Sequence, residues 1–343
     1  MNLAHKAGVG NYAQMRFYGR LRVNHNRLSV VVLSAGLGLF ASGAAMADGM
    51  PPRGYVAPPE RAWSVEVGAR YWYSVGSNAY DYLDTTGTFL VSRLSYEDTS
   101  AHSGEAFFRI DHKSGLFLKG IAGAGSIVDG TLFDEDFPPF IPGGYSRTSS
   151  TLDGDLNYFT IDLGFTFFDS TRRIHSGLKD EPIGQRGVRI GGFVGYNYWH
   201  EKVDAFGCTQ LATNPFVCPA GLVLPTDKVI TEKDTWKSLR LGVVGDVMLT
   251  DRLKITGEAA YLLSDQKALD THYFTFGPDP ASGDGWGYQL EAILAYDVTS
   301  NLNIGVGGRW WHMETDARDA FNQVLKYETD RYGVFVQGSL KLN

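Results

Sequence analysis

The chain has 343 residues, with 31 Lys and Arg against 38 Asp and Glu, a formal charge of −7, two cysteines and 41 glycines. A net acidic chain lacks the basic stripe that a nucleic-acid binder needs, and two cysteines supply neither a disulfide scaffold nor a four-ligand zinc site. Mean hydropathy of −0.16 excludes a polytopic helical membrane protein, whose every span needs roughly 20 mostly apolar residues, while 13% aromatic content beside abundant glycine points to strands and turns.

The first element is a targeting segment. Lys6, Arg16, Arg20, Arg22 and Arg27 precede an apolar run from Leu28 to Phe40, and small residues then lead to Ala45-Met46-Ala47. This is the order of a secretory signal with an extended basic region, expected over residues 1–47. An uncleaved anchor is the alternative, since Leu28 to Ala47 is just long enough to span; the small residues and the A-x-A site favour cleavage. Residues 48–61, with Pro51, Pro52, Pro58 and Pro59, read as an extended periplasmic tether, and 62–343 as one further domain.

From Trp63 onward the pattern has period two. Trp63, Val65, Val67, Ala69, Tyr71 and Tyr73 share one face, against Ser64, Glu66, Gly68, Arg70 and Ser74. The same alternation returns at Phe159 to Phe167, Leu239 to Leu249, Leu302 to Trp310 and Tyr332 to Leu342. One face is continuously apolar, and the other mixes glycine with charge of both signs. A soluble sheet would need a second layer over its apolar face, and no segment of helical period supplies one. Lipid is the economical cover, and it demands closure. The expectation is therefore an all-β, ten-stranded antiparallel transmembrane β-barrel. Its strands are placed near 63–75, 89–111 (broken near Thr99 to Ser103), 116–128, 155–168, 188–206, 230–249, 253–272, 284–298, 302–316 and 327–342.

Tight connections at Asp111 to Gly115, Thr250 to Arg252 and Asp297 to Asn301 should face the periplasm, and long ones at 76–88, 129–154, 207–229, 273–283 and 317–326 the outside. The 169–187 connection is long on the short side. Lumenal Glu66, Arg70, Arg109, Asp162, Arg189, Arg240, Asp246, Glu258, Glu291 and Arg309 can pair across a narrow barrel, which argues against a wide porin. Function should then sit in the long outer loops.

Soluble-enzyme motifs such as G-x-S-x-G, H-E-x-x-H and C-x-x-C do not occur, and no cofactor or metal is implied. Cys208 and Cys218 lie within one outer loop of an exported protein, where a bridge is the stronger reading over two free thiols. Two acidic clusters remain: Asp134-Glu135-Asp136, flanked by Phe133 and Phe137, and Asp270-Thr271-His272-Tyr273. By parity with Lys254, Thr256 and Glu258, Asp270 and His272 share the lumenal face. A carboxylate beside an imidazole orients it and raises its basicity, as a general base requires, and paired aspartates can hold a water through a shared proton. Taken separately, each cluster also reads as a solvated tip or a loose divalent-cation site.

Their joint position resembles the omptins, outer-membrane endopeptidases of Gram-negative bacteria. The resemblance runs over nearly the whole mature chain and includes Asp153-Gly154-Asp155-Leu156-Asn157-Tyr158 and Gly191-Gly192-Phe193-Val194-Gly195-Tyr196. It implies a dyad of Asp270 and His272 facing a couple of Asp134 and Asp136 across a groove open to the outside. Asp153 matches an acid the family uses near the pocket after the scissile bond. Phe137 stands where the family has Trp. Ala268 stands where the family has a pocket acid selecting Arg or Lys before the cut; no acid on the first strand matches its partner, although Asp81 and Asp84 are near. The expectation is retained catalysis with altered, not strictly basic, specificity, helped by Phe133, Phe137, Tyr273 and Trp199 around the mouth.

The resemblance also implies a monomer in the Gram-negative outer membrane that needs lipopolysaccharide. Tyr196 matches one lipid contact, His200 replaces a basic one, and Lys202 and Lys237 could meet lipid phosphates or simply snorkel. A non-catalytic surface barrel for adhesion or lipid binding is the rival reading; a small-solute channel is disfavoured by the filled lumen.

Overall fold

The computed structural model describes residues 62–171, 187–212, 214, 216–218, 222–250, 252–274 and 277–342. The signal segment, the tether and most of the 169–187 connection lie outside the described residues. The period-two segments form ten strands: β1 (Trp63–Leu83), β2 (Leu90–His112), β3 (Leu116–Asp136), β4 (Ser146–Asp169), β5 (Gly187–Ala212), β6 (Lys228–Met248), β7 (Leu253–His272), β8 (Gly277–Asp297), β9 (Leu302–Arg318) and β10 (Val324–Leu342). Each pairs antiparallel with its neighbour in sequence. β1 also pairs with β10, from Val65 opposite Leu342 to Leu83 opposite Val324, so the sheet closes without an edge.

The outward apolar residues make a continuous band. It runs from Trp63, Phe167 and Leu342 at the end with the tight turns to Tyr73, Trp310 and Tyr332, all exposed. An apolar band closed by aromatic girdles is the surface a bilayer covers. Beyond the upper girdle the strands continue where the sequence placed loops, so the loops expected on the outside shrink to 84–89, 137–145, 213–227, 273–276 and 319–323. The reason is physical. Above the girdle outward residues meet water and turn polar, so the hydrophobic alternation fades while the ladder persists, as in Ser77 opposite Asp330 and Ala79 opposite Glu328.

The lumen is filled. Arg309 bridges Glu105 and Glu291, each at 2.6 Å, and Arg70 reaches Glu291 at 3.1 Å. Lower down, Arg240 joins Asp162 (3.0 Å) and Glu258 (2.7 Å), and Arg189 joins Asp246 (2.6 Å). Buried ion pairs of this kind add little net stability over apolar packing, yet removing one partner strands the other, so they fix the cross-lumen arrangement. Above them Trp72, Tyr158, Trp199 and Trp311 form an aromatic layer, with Trp199 and Trp311 centroids 4.6 Å apart. That layer underlies the outer mouth and sets Trp199 below it, not around it as the sequence suggested.

Candidate active site

Two strand irregularities build the site. On β3, Phe117 and Ile127 face inward at odd positions, and Leu132 faces inward at an even one. The switch occurs where the β3–β4 register shifts between Ile127 and Thr131, at Gly130, whose φ is +147°. Beside it β2 shifts register at Asp98, with φ of 55°, close to the break expected near Thr99. An extra residue in a strand turns every later side chain to the other face. Without this bulge Asp134 and Asp136 would point outward; with it they point into the mouth.

β7 keeps strict alternation, so Asp270 and His272 reach the same mouth from the opposite wall. The Nε2–H of His272 donates to Asp270 Oδ2 at 2.9 Å, leaving Nδ1 to act on a ligand. Tyr82, at the end of β1, donates its hydroxyl to the same oxygen at 3.2 Å. Asp134, Asp136, Asp270, His272 and Tyr82 all line one cleft of about 900 Å³, which Phe140, Phe216, Phe274 and Phe321 also line.

The electrostatics follow from this crowding. Burial, reinforced by the neighbouring Asp136 charge, pushes Asp134 up to about 7, against the opposing pull of His272. Asp136 is also raised by burial, although His272 and a hydrogen bond from Ser92 work against it. Burial alone would lower His272, but the Asp270 hydrogen bond and the charges of Asp270, Asp134 and Asp136 outweigh it and raise the imidazole to about 8. Asp134 and His272 therefore both change protonation state near neutrality, which suits a site that activates water.

Solved structures can be compared at this point. The barrel is similar to the outer membrane protease OmpT from Escherichia coli, with a TM-score of 0.61 at 15% identity, covering 81% of this chain and 97% of that one. The fold is omptin-like. The translocator domain of autotransporter NalP from Neisseria meningitidis also matches, over 79% of this chain and 88% of that one, with a TM-score of 0.30 and 10% identity. No protein-family model and no curated protein matches the sequence.

Several expected site residues fall elsewhere. Asp153 lies on the outer wall of β4, exposed, because Leu152, Leu156 and Tyr158 hold the inward parity. Phe133 faces outward, stacked under the Arg147 guanidinium at 4.8 Å. Phe137 packs on Tyr145 with centroids 5.6 Å apart, beside the cleft and not in its lining. Tyr273 is exposed and bonds Thr231 at 3.1 Å on the outer side. Asp81 is held by Arg93 at 2.5 and 2.7 Å, and Asp84 caps its own loop through the N–H groups of Thr88 and Phe89, so neither serves the cleft.

The structure adds acids that the sequence reading passed over. Asp234 on β6 stands opposite Ala268, and Glu232 stands opposite Asp270. Asp234 is buried, accepts from Tyr80, Gln266 (2.8 Å) and Tyr327 (3.4 Å), and is pushed up to about 7, chiefly by burial. Glu232 is 1% exposed, and neither of its carboxyl oxygens has a hydrogen-bond partner among the described residues. Burial and the Asp234 charge push it well above the usual carboxylate range. Their lumenal parity with Arg240 was legible; their place beneath the dyad depended on strand register. Ala268 therefore does not leave this wall without acid.

Cys208 and Cys218 form a disulfide, with Cα atoms 5.9 Å apart, at the rim of the cleft. Asn214 in the same loop donates to Pro142 O (3.1 Å) and Gly144 O (3.0 Å), tying the third outer loop onto the second. Tyr196, Lys202 and Lys237 face outward on β5 and β6 near the upper girdle, with Lys202 also bonded to Asp204 at 2.7 Å.

Proposed function

We propose that the chain is an outer-membrane endopeptidase of omptin type that cleaves peptides at the outer mouth of the barrel. The observation that carries this reading is the convergence of Asp134 and Asp136 from β3 with Asp270 and His272 from β7 in one open, acid-rich cleft. A bound water gives a proton to His272 Nδ1 as its oxygen attacks the scissile carbonyl carbon; Asp270 steadies the imidazolium, which then protonates the leaving amine. Asp134 and Asp136 orient the water, the protonated partner donating toward the developing oxyanion. With His272 raised to about 8, roughly a tenth of the molecules hold it neutral at pH 7, so turnover should rise toward mildly alkaline pH.

Glu232, on the same wall as Asp234, bears on specificity. A buried carboxylate without a partner is stabilised by a cation, so a basic side chain before the cut becomes compatible with this wall, and the loss of basic preference expected from Ala268 no longer follows. Outward Tyr196, Lys202 and Lys237 support lipopolysaccharide as the activating partner of a monomer in the outer membrane. The rival is a non-catalytic surface barrel that adheres or binds lipid. Refolding the mature chain with lipopolysaccharide and screening a mixed peptide library separates the two: internal cleavage supports the peptidase, and a folded barrel that leaves the library intact supports the rival.

A further inference from the structure

On the outer wall of β9 and β10, away from the cleft and one step above Trp310 and Tyr332, three metal-ligating side chains meet. His312 and Asp330 are cross-strand partners, and Glu328 follows on the same face of β10. One ligand atom from each lies within 4.8 Å of the other two. The group is held from outside. Trp310 Nε1–H donates to Asp330 Oδ1 at 2.7 Å, and Tyr288 stacks on the imidazole with centroids 4.9 Å apart and planes 24° from parallel. Ligating histidines and carboxylates typically rely on such outer support.

The charge pattern points independently to a cation. Glu314 stands directly opposite Glu328 on the outward face, and like charges so placed are destabilising. Among the described residues neither forms a salt bridge, while His312 is already taken by Asp330 at 3.1 Å. Glu314 and Glu328 thus face each other with no salt-bridge partner among the described residues.

We propose that His312, Glu328 and Asp330 bind one divalent transition-metal ion of the zinc class on the outer wall. Imidazole with two carboxylates suits zinc, whereas calcium and magnesium prefer oxygen donors throughout. Zinc bonds of about 2.0–2.2 Å set ligand atoms roughly 3.3 Å apart, a contraction the exposed Glu328 side chain can supply. The fourth position then faces outward, at the height where the bilayer presents water and lipid phosphate. No short motif marks the site in sequence, because His312 and Asp330 are separated by 18 residues and meet only through the ladder.

The test is calorimetric titration of Zn²⁺ into the full refolded chain, stripped with a chelator and kept free of lipopolysaccharide. One saturable site is expected, weakened at least about 10-fold in His312→Ala and in Glu328→Gln, unchanged in His272→Ala, and not displaced by excess Ca²⁺. Glu328→Gln alters an exposed side chain and guards against a folding defect in His312→Ala. Absence of saturable binding up to about 1 mM, displacement by Ca²⁺, or loss in His272→Ala with retention in both outer-wall variants would overturn the proposal.

Discussion

Asp134→Asn should change how the stability of the barrel depends on pH. Asp134 is held at about 7 against an ordinary 3.8, about three units, or roughly 4 kcal/mol at about 1.4 kcal/mol each. Proton sharing with His272 brings the expected share to roughly half. Because the folded-state value lies above the unfolded one, this contribution to stability is complete below 3.8 and is lost as pH rises through 7. His272, raised from 6.5 to about 8, has the same sign: its contribution is complete below 6.5 and is lost through 8. The wild type should therefore weaken between pH 4 and pH 9. Asparagine keeps the shape and cannot ionise, so it removes the Asp134 part and leaves the later loss due to His272. Urea unfolding in vesicles should show the variant gaining on the wild type by roughly 2 kcal/mol between pH 4 and pH 8. A difference that stays constant or narrows over that range would refute the crowding of acids around Asp134.

Three further outcomes follow from the same geometry. Gly130→Val meets Leu152 Cδ1 at 3.1 Å and Glu97 O at 3.2 Å at a φ that side chains rarely adopt, so loss of the bulge should cut turnover about 10²-fold in a barrel that still shows heat-modifiable mobility on gels; unchanged turnover would mean that the bulge does not aim the couple. Tyr82→Phe removes the second donor to Asp270 Oδ2 and should lower kcat about 10-fold with little change in KM, read by steady-state kinetics on one cleaved peptide. Sequencing of library products by mass spectrometry should show Arg or Lys enriched before the cut, with the enrichment reduced in Glu232→Gln; apolar residues there would return the weight to Ala268.

Much of this architecture was legible because a lipid-covered barrel writes period two into its sequence, and β7 carries that parity unbroken from Lys254 to His272. The pairing of Asp270 with His272 was therefore readable, as was the charged lumen around Arg240 and Arg309. Parity failed at irregularities and at the rim. The bulge at Gly130 turns Asp134 inward and Phe133 outward, and one glycine among 41 does not announce a φ of +147°. Asp153, carried over by resemblance, lies on a strand whose inward positions are all even, so register and not composition puts it outside. Tyr82 was invisible as a site residue because it reaches Asp270 across the mouth from β1, and Glu232 and Asp234 because only the β6–β7 register sets them opposite Asp270 and Ala268.

Comparative turnover by wild type and His272→Ala tests the peptidase reading most directly, with both chains refolded with lipopolysaccharide and matched for barrel content by circular dichroism. The expected result is internal peptide cleavage by the wild type, with activity rising as pH passes from 6 to 8 and His272 loses its proton, and a loss of about 10² or more in the variant. Equal cleavage by both chains would contradict the dyad, and no cleavage by the folded wild type would contradict the peptidase itself.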